Sequence, residues 1–289
     1  MSSSRILGGL LFAAAAVATL PAHAETSYEA APPGANNWSC HPSAAHPYPV
    51  VLLHGTFSNM GQNFSYLAPK LTQAGYCIYA LNYGANQYSQ GTGGQVNGLA
   101  PVADSATQLG VFVDRVLAAT GASKVDIVGH SQGGMMPRWY MHILGGYSKV
   151  HTLVGIAPDN HGSDLNGFNN YANMLGQQAK DALVSSWAPS LTDQQVGSTF
   201  INQLNASGDT VPGPNYTVIS SKNDTVATPY TAQALVGPQA TNIVIQDQCS
   251  SVYSDHVSMI MNPMVARNML NALDPAHAVP VNCNTMYQY

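Results

Sequence analysis

Ser131 lies at the centre of Gly129-His130-Ser131-Gln132-Gly133, a Gly-x-Ser-x-Gly pattern. The β-branched run Val125, Ile127 and Val128 precedes it, and Met135, Met136, Trp139, Tyr140, Ile143 and Leu144 follow at helical spacing. A strand, a sharp turn and a helix in that order push a serine hydroxyl out at the strand's carboxyl end, with the backbone N–H of Gln132 facing the same space. The alternative is a glycine-rich turn whose serine only caps a helix. A neutral hydroxyl is a weak nucleophile and needs a base to take its proton and an acid to orient that base. Asp224 and His256 are the candidates, giving the chain order Ser, Asp, His. A second backbone donor for a developing oxyanion is expected from the loop after an early strand. Thr56 is the candidate there, with its hydroxyl as a further donor and Phe57 as the runner-up.

Both partners of the serine have rivals. Asp159, Asp164, Asp181, Asp193, Asp209, Asp247 and Asp255 also lie between Ser131 and the last histidines, but only Asp224 directly follows a strong strand. Its competing role is that of a turn-forming aspartate bonded to its own backbone. His277 rivals His256 but stands in the irregular segment Pro275-Ala-His-Ala-Val-Pro280. His54 and His130 adjoin the site without a proton-transfer role in this pattern. The chemistry is acyl transfer from an uncharged carbonyl compound, which requires neither metal nor organic cofactor, and no His/Asp cluster has metal-ligand spacing.

Alternating elements position these groups. Apolar runs at Tyr48–Gly55 and Tyr76–Tyr83 predict buried strands, the first apolar on both faces, and Lys124–His130, Lys149–Ala157, Tyr216–Ser221 and Asn242–Gln246 predict further strands. Helical spacing predicts helices over Phe64–Ala74, Val102–Thr120, the stretch after Ser131, and Pro263–Leu273. This alternation predicts an α/β fold with a mainly parallel, doubly wound sheet. Asn82–Gly98 is expected to be loop. Residues 159–214 lack a parallel strand and suggest an inserted cap or lid. Within it, Leu175, Ala179, Ala182, Leu183 and Trp187 share a helical face, and Thr192 with Gln195 resembles a capping box for a helix carrying Val196, Phe200 and Leu204. Either face serves equally as core packing or as a substrate-facing lid.

Residues 1–24 read as a secretory signal peptide: Arg5, an apolar stretch Ile6–Leu20, and a Pro21-Ala-His-Ala24 end. The apolar run is too short for a membrane span. Residues 25–289 are then expected to form one domain, exported to the periplasm or the medium and monomeric. Charged residues make up only 8% of the chain and the net charge is −5, with no Lys/Arg cluster, which argues against nucleic acid or an anionic membrane as partner. The four cysteines allow three pairings. Chain position favours Cys40 with Cys77 and Cys249 with Cys283, each closing a loop of about 35 residues and contributing roughly 3–4 kcal/mol in the chain-entropy model.

Taken together, Gly-His-Ser-Gln-Gly-Gly with Pro137-Arg-Trp139, Ile156-Ala-Pro-Asp159 with His161-Gly162, Asp224-Thr-Val-Ala-Thr-Pro229, Asp255-His256 and Gly55-Thr56 resemble the secreted bacterial triacylglycerol lipases of the class 2 lipase family. They resemble fungal lipase B more distantly. The likeness runs through nearly the whole chain after residue 24. It implies an α/β-hydrolase fold with a cap, esterase or lipase activity on an ester or lipid substrate at or away from an oil–water interface, a Ser131–Asp224–His256 triad, and Thr56 with Gln132 as oxyanion donors. It carries over no acyl-chain preference. The same machinery would serve a short-chain carboxylesterase or a polyester or polyhydroxyalkanoate hydrolase, and a hydrolase-like module kept only for binding is a further alternative.

Overall fold

The computed structural model describes residues 30–164 and 186–285. Residues 1–24, read above as a signal peptide, Asp181, and Leu175, Ala179, Ala182 and Leu183 of the apolar face lie outside them. Six strands, β1 (Val50–Leu53), β2 (Ile78–Leu81), β3 (Val125–His130), β4 (Val150–Ile156), β5 (Asn215–Ser220) and β6 (Ala240–Val244), form one sheet in the order β2-β1-β3-β4-β5-β6. Every pairing is parallel. Each strand lies where its apolar run predicts, within two residues at either end.

Strand alternation feeds two cores, one on each face. Val50 and Leu52 of β1 point to one side, where Phe64, Leu67 and Leu71 meet Met264, Val265 and Met269. Val51 and Leu53 point to the other, where Leu109, Val113 and Val116 meet Met135 and Met136. Among the described residues the α-helices are α1 (Met60–Asn63), α2 (Leu67–Gln73), α3 (Gln87–Gly91), α4 (Val102–Thr120), α5 (Gln132–His142), α6 (Pro189–Asp193), α7 (Thr199–Asn205), α8 (Ile245–Gln248) and α9 (Pro263–Leu273). Gly121 stops α4 in a left-handed conformation at φ 69°. Asn262 caps α9 by accepting from the Met264 N–H, with Pro263 at its first position.

Three local expectations differ from the structure. Asn82–Gly98 is not all loop, because Asn86 accepts from Tyr88 and Ser89 N–H groups and starts α3. Thr192 does not open a helix; it lies near the end of α6. Gly197, at φ 76°, breaks the chain and Ser198 caps α7 by accepting from Ile201 N–H, so Phe200 and Leu204 are buried while Val196 is outside the helix and exposed. Ile143 and Leu144 fall beyond the end of α5 and are exposed, although they continue its apolar spacing.

The segment before β1 is tied to the sheet edge. Asn36 brackets Ala80 of β2 with its amide, accepting from the Ala80 N–H at 2.8 Å and donating to its carbonyl at 2.9 Å. Disulfides join Cys40 to Cys77 and Cys249 to Cys283.

Candidate active site

The turn from β3 into α5 is forced by close approach. A Cβ on Gly129 would overlap the Gly133 carbonyl, and one on Gly133 would overlap the Leu53 carbonyl, so both positions require glycine. Ser131 sits at the apex with φ 56°, a conformation non-glycine residues rarely adopt. Its N–H donates to the Ile156 carbonyl of β4 at 2.9 Å and its carbonyl accepts from Gly134 N–H at 2.8 Å. These two bonds hold the strained residue in place. Gln132 opens α5, so its N–H belongs to the first turn, which has no carbonyl partner within the helix and lies at the positive end of the helix dipole.

Asp224 lies in the turn after β5, and His256 in the connection before α9. The Nδ1–H of His256 donates to Asp224 Oδ2 at 2.9 Å, with Oδ1 at 3.1 Å. Both groups are buried. The Asp224 carboxylate also accepts from Val226 and Ala227 N–H groups at 2.8 and 2.9 Å and from Gln233 Nε2 at 2.9 Å. With Nδ1 committed to the carboxylate, the free Nε2 is the nitrogen left for proton transfer.

Five of the rival acids are engaged elsewhere. Asp193 accepts from Val102 N–H at the start of α4. Asp209 pairs with Arg138 and His161. Asp247 pairs with Lys222, Asp255 accepts from Ser258 N–H, and Asp164 accepts from Thr228 Oγ1. Asp159 is fully buried without a side-chain partner among the described residues, and burial pushes its carboxyl up to about 7. His277 is exposed and bonds Asp274, its neighbour three residues back.

Thr56, Ser131 and His256 line one cavity of about 580 Å³. Phe57 shares its wall, but its N–H donates to the Asn97 carbonyl at 2.9 Å and so is engaged. The Thr56 hydroxyl donates to Gln194 Oε1 at 3.1 Å, and Gln194 Nε2 donates to the Ser190 carbonyl at 2.9 Å, which ties the loop after β1 to α6. The rest of the wall is largely apolar: Trp187, Leu191, Val226, Val257 and Ile260. Phe57 stacks on Trp187 with ring centroids 5.8 Å apart, and Tyr88 meets Trp187 edge-on at 6.2 Å.

Two histidines support the site rather than transfer protons. His54 donates from Nδ1 to the Gly55 carbonyl at 2.8 Å and accepts from Tyr83 N–H at Nε2; burial lowers it to about 4. His130 has Nε2 3.0 Å from the His256 carbonyl and Nδ1 3.1 Å from Asn63 Oδ1, and burial, then the nearby charge on His256, lowers it to about 3. Its neutral ring carries one proton and so donates to one of these acceptors at a time. Gln233 and Asn63 have no sequence signal of their own: each is an amide outside the motif that only the fold brings to the site.

A family model described as Lipase (class 2) matches residues 47–268. A triacylglycerol lipase of Pseudarthrobacter phenanthrenivorans is 32% identical over 130 residues, covering 43% of this chain and 37% of the relative. One of Burkholderia plantarii is 32% identical over 130 residues, covering 43% of this chain and 33% of that relative. The chain thus spans only about a third of the length of the curated relatives it matches. The crystal structure of Aspergillus fumigatus lipase B superposes with a TM-score of 0.62 at 20% identity, covering 93% of this chain and 66% of that one.

Proposed function

Since the chain belongs to the class 2 lipase family and has the α/β-hydrolase fold, we propose that it hydrolyses carboxylic esters, triacylglycerols foremost, with Ser131, Asp224 and His256 as a catalytic triad. The observation that carries this reading is the single cavity lined by Ser131, His256 and Thr56, with His256 bonded at its back to Asp224.

In this mechanism His256 Nε2 takes the Ser131 proton as Oγ attacks the ester carbonyl. The oxyanion accepts from the N–H groups of Thr56 and Gln132, each worth about 3 kcal/mol in the transition state. His256 returns its proton to the departing alcohol. Water then attacks the acyl-enzyme in the same way, releasing the acid and restoring Ser131. The Thr56 hydroxyl, bonded to Gln194, holds the loop rather than the oxyanion.

We read residues 25–289 as one domain, with residues 159–214 as a cap between β4 and β5, and the protein as an exported monomer. The two disulfides and the N-terminal sequence support export. No helix among the described residues is long and apolar enough to cross a membrane. N-terminal sequencing of protein recovered outside the cytoplasm should begin at Glu25.

Purified protein should hydrolyse p-nitrophenyl esters of long as well as short acids, and emulsified triolein. Cleavage restricted to short soluble esters would make it a carboxylesterase, and cleavage of polyester film without triolein a polymer hydrolase. No cleavage of any ester would overturn the reading. Ser131→Ala should lower turnover by about 10⁶-fold while the unfolding midpoint stays close to wild type.

A further inference from the structure

Tyr83 follows β2 and has no exposed surface. Its ring lies flat against the His54 imidazole, with centroids 4.3 Å apart and planes at 9°. Its N–H donates to His54 Nε2 at 3.3 Å. Its hydroxyl donates to the His54 carbonyl at 2.5 Å, with Gln132 Oε1 at 3.2 Å as a second, longer acceptor. Its own carbonyl accepts from the Gly98 N–H at 2.9 Å, and Gly98 packs against Thr56. One buried residue thus meets the loop after β1 and the first residue of α5, the two segments that carry Thr56 and Gln132. Burial, then Asp159, raise its phenol well above the usual tyrosine range, so the hydroxyl keeps its proton and remains a donor.

The grip on His54 passes to Thr56 through one rigid group. The Gly55 carbonyl and the Thr56 N–H belong to the same planar trans peptide and point in opposite directions. His54 Nδ1 donates to that carbonyl at 2.8 Å, which leaves Nε2 as the acceptor nitrogen, and the Tyr83 N–H supplies the donor it takes. Holding the carbonyl therefore sets the direction of the N–H on the other side of the peptide. At Gln132 the contact is with the side chain of the residue whose N–H begins α5.

Resting on the reading of Thr56 and Gln132 as oxyanion donors, we infer that Tyr83 is a positioning residue that sets the spacing and direction of these two N–H groups. With no exposed surface it acts through His54 and Gln132 and not on the substrate. Donors stabilise a transition state only where its charge develops, and a displacement of about 1 Å can cost about 100-fold in rate.

The test is Tyr83→Phe, which keeps the ring stack and removes one oxygen. It is assayed on one soluble ester and with 1,1,1-trifluorooctan-2-one, a ketone whose adduct with Ser131 carries an oxyanion in the same place. kcat should fall by about 10- to 100-fold with KM within about twofold of wild type, and Ki for the ketone should rise by a similar factor, because both need the two donors. The pH dependence of kcat should keep its wild-type shape, since Asp224 and His256 are untouched. Tyr79→Phe is the control: Tyr79 is equally buried, and its hydroxyl donates to the Asn37 carbonyl at 3.3 Å in the segment before β1. It should leave kcat and Ki at wild-type values, whatever it does to the unfolding midpoint. Gln132→Met keeps the N–H and the length of the side chain but breaks the contact with Tyr83, and it carries the test should Tyr83→Phe not fold. It should move kcat and Ki in the same directions by about threefold or more. Wild-type kcat and Ki in either site variant, or an equal loss of both in Tyr79→Phe, overturns the inference while leaving ester hydrolysis standing. Wild type that cleaves no ester overturns the functional reading as well.

Discussion

The Asp224 carboxylate accepts four N–H donors: two from its own turn, one from His256 and one from Gln233. Gln233 is itself buried and held in place, with its carbonyl accepting from Asn160 Nδ2 at 2.6 Å and its Nε2 also donating to Ala227. Hydrogen bonds to charged groups contribute roughly 1.5–3 kcal/mol. Gln233→Leu should therefore lower kcat by about 10- to 100-fold with little change in KM, because the loss reaches the substrate only through His256; steady-state kinetics on one soluble ester would check this. An unchanged kcat would mean that Asp224 is held adequately by its own turn. At this scale the motif residues were legible, because Ser131 and Asp224 each follow a strong strand and His256 lies in the final connection. Gln233 and Asn63 were not, because nothing in an isolated amide records which carboxylate or peptide it will meet after folding.

At the scale of elements, α6 is coupled to the site through contacts that sequence patterns do not encode. Ser190 of α6, fully buried, donates to the Gly98 carbonyl at 2.7 Å, and its N–H donates to Leu99. Gly98 has φ 73°, and a Cβ there would sit 2.8 Å from Gln132 Oε1 and 3.2 Å from Thr56 Cα. Gly98→Ala should thus strain the backbone and separate Thr56 from Gln132, costing about 1–3 kcal/mol of stability and lowering kcat more than it changes KM. Urea unfolding with parallel kinetics would test it, and wild-type kcat would disprove the coupling to the oxyanion donors. The elements themselves were read from periodicity wherever burial enforced it, as in β1 to β5 and in α4 and α9. Periodicity misled where local chemistry outranked it: Ile143 and Leu144 continued an apolar spacing past the end of α5, and Gly197 divided a stretch that reads as continuous.

Across the whole molecule, the buried titratable groups set opposing pH dependences. His54 and His130 have ordinary values near 6.5 when unfolded and about 4 and 3 when folded, so the unfolded chain binds more protons between these limits. Their contribution is intact above pH 6.5 and is lost as pH falls. Asp159 runs the other way: its folded value of about 7 lies above the ordinary 3.8, so its contribution is lost as pH rises from 3.8 towards 7. Two histidines outweigh one aspartate, so Tm should drop between pH 7.5 and 5. Asp159→Asn should gain on wild type over the same range as pH rises, by an order of a few kcal/mol, measurable from urea midpoints at pH 4.5 and 7.5. A midpoint difference independent of pH would show that Asp159 does not titrate there. The parallel order and two-faced core were legible from apolar strands alternating with helices. The burial of these particular histidines was not, since a histidine's surroundings exist only in the folded chain. Of the three tryptophans, Trp139 is buried against Phe200 and Trp38 lies beneath the Arg115 guanidinium, whereas Trp187 alone is on the wall of the cavity that holds Ser131. The molecule thus carries an intrinsic fluorophore in the wall of that cavity: an acyl chain entering it should change the emission of Trp187, so that occupancy can be followed optically without a label or a turnover.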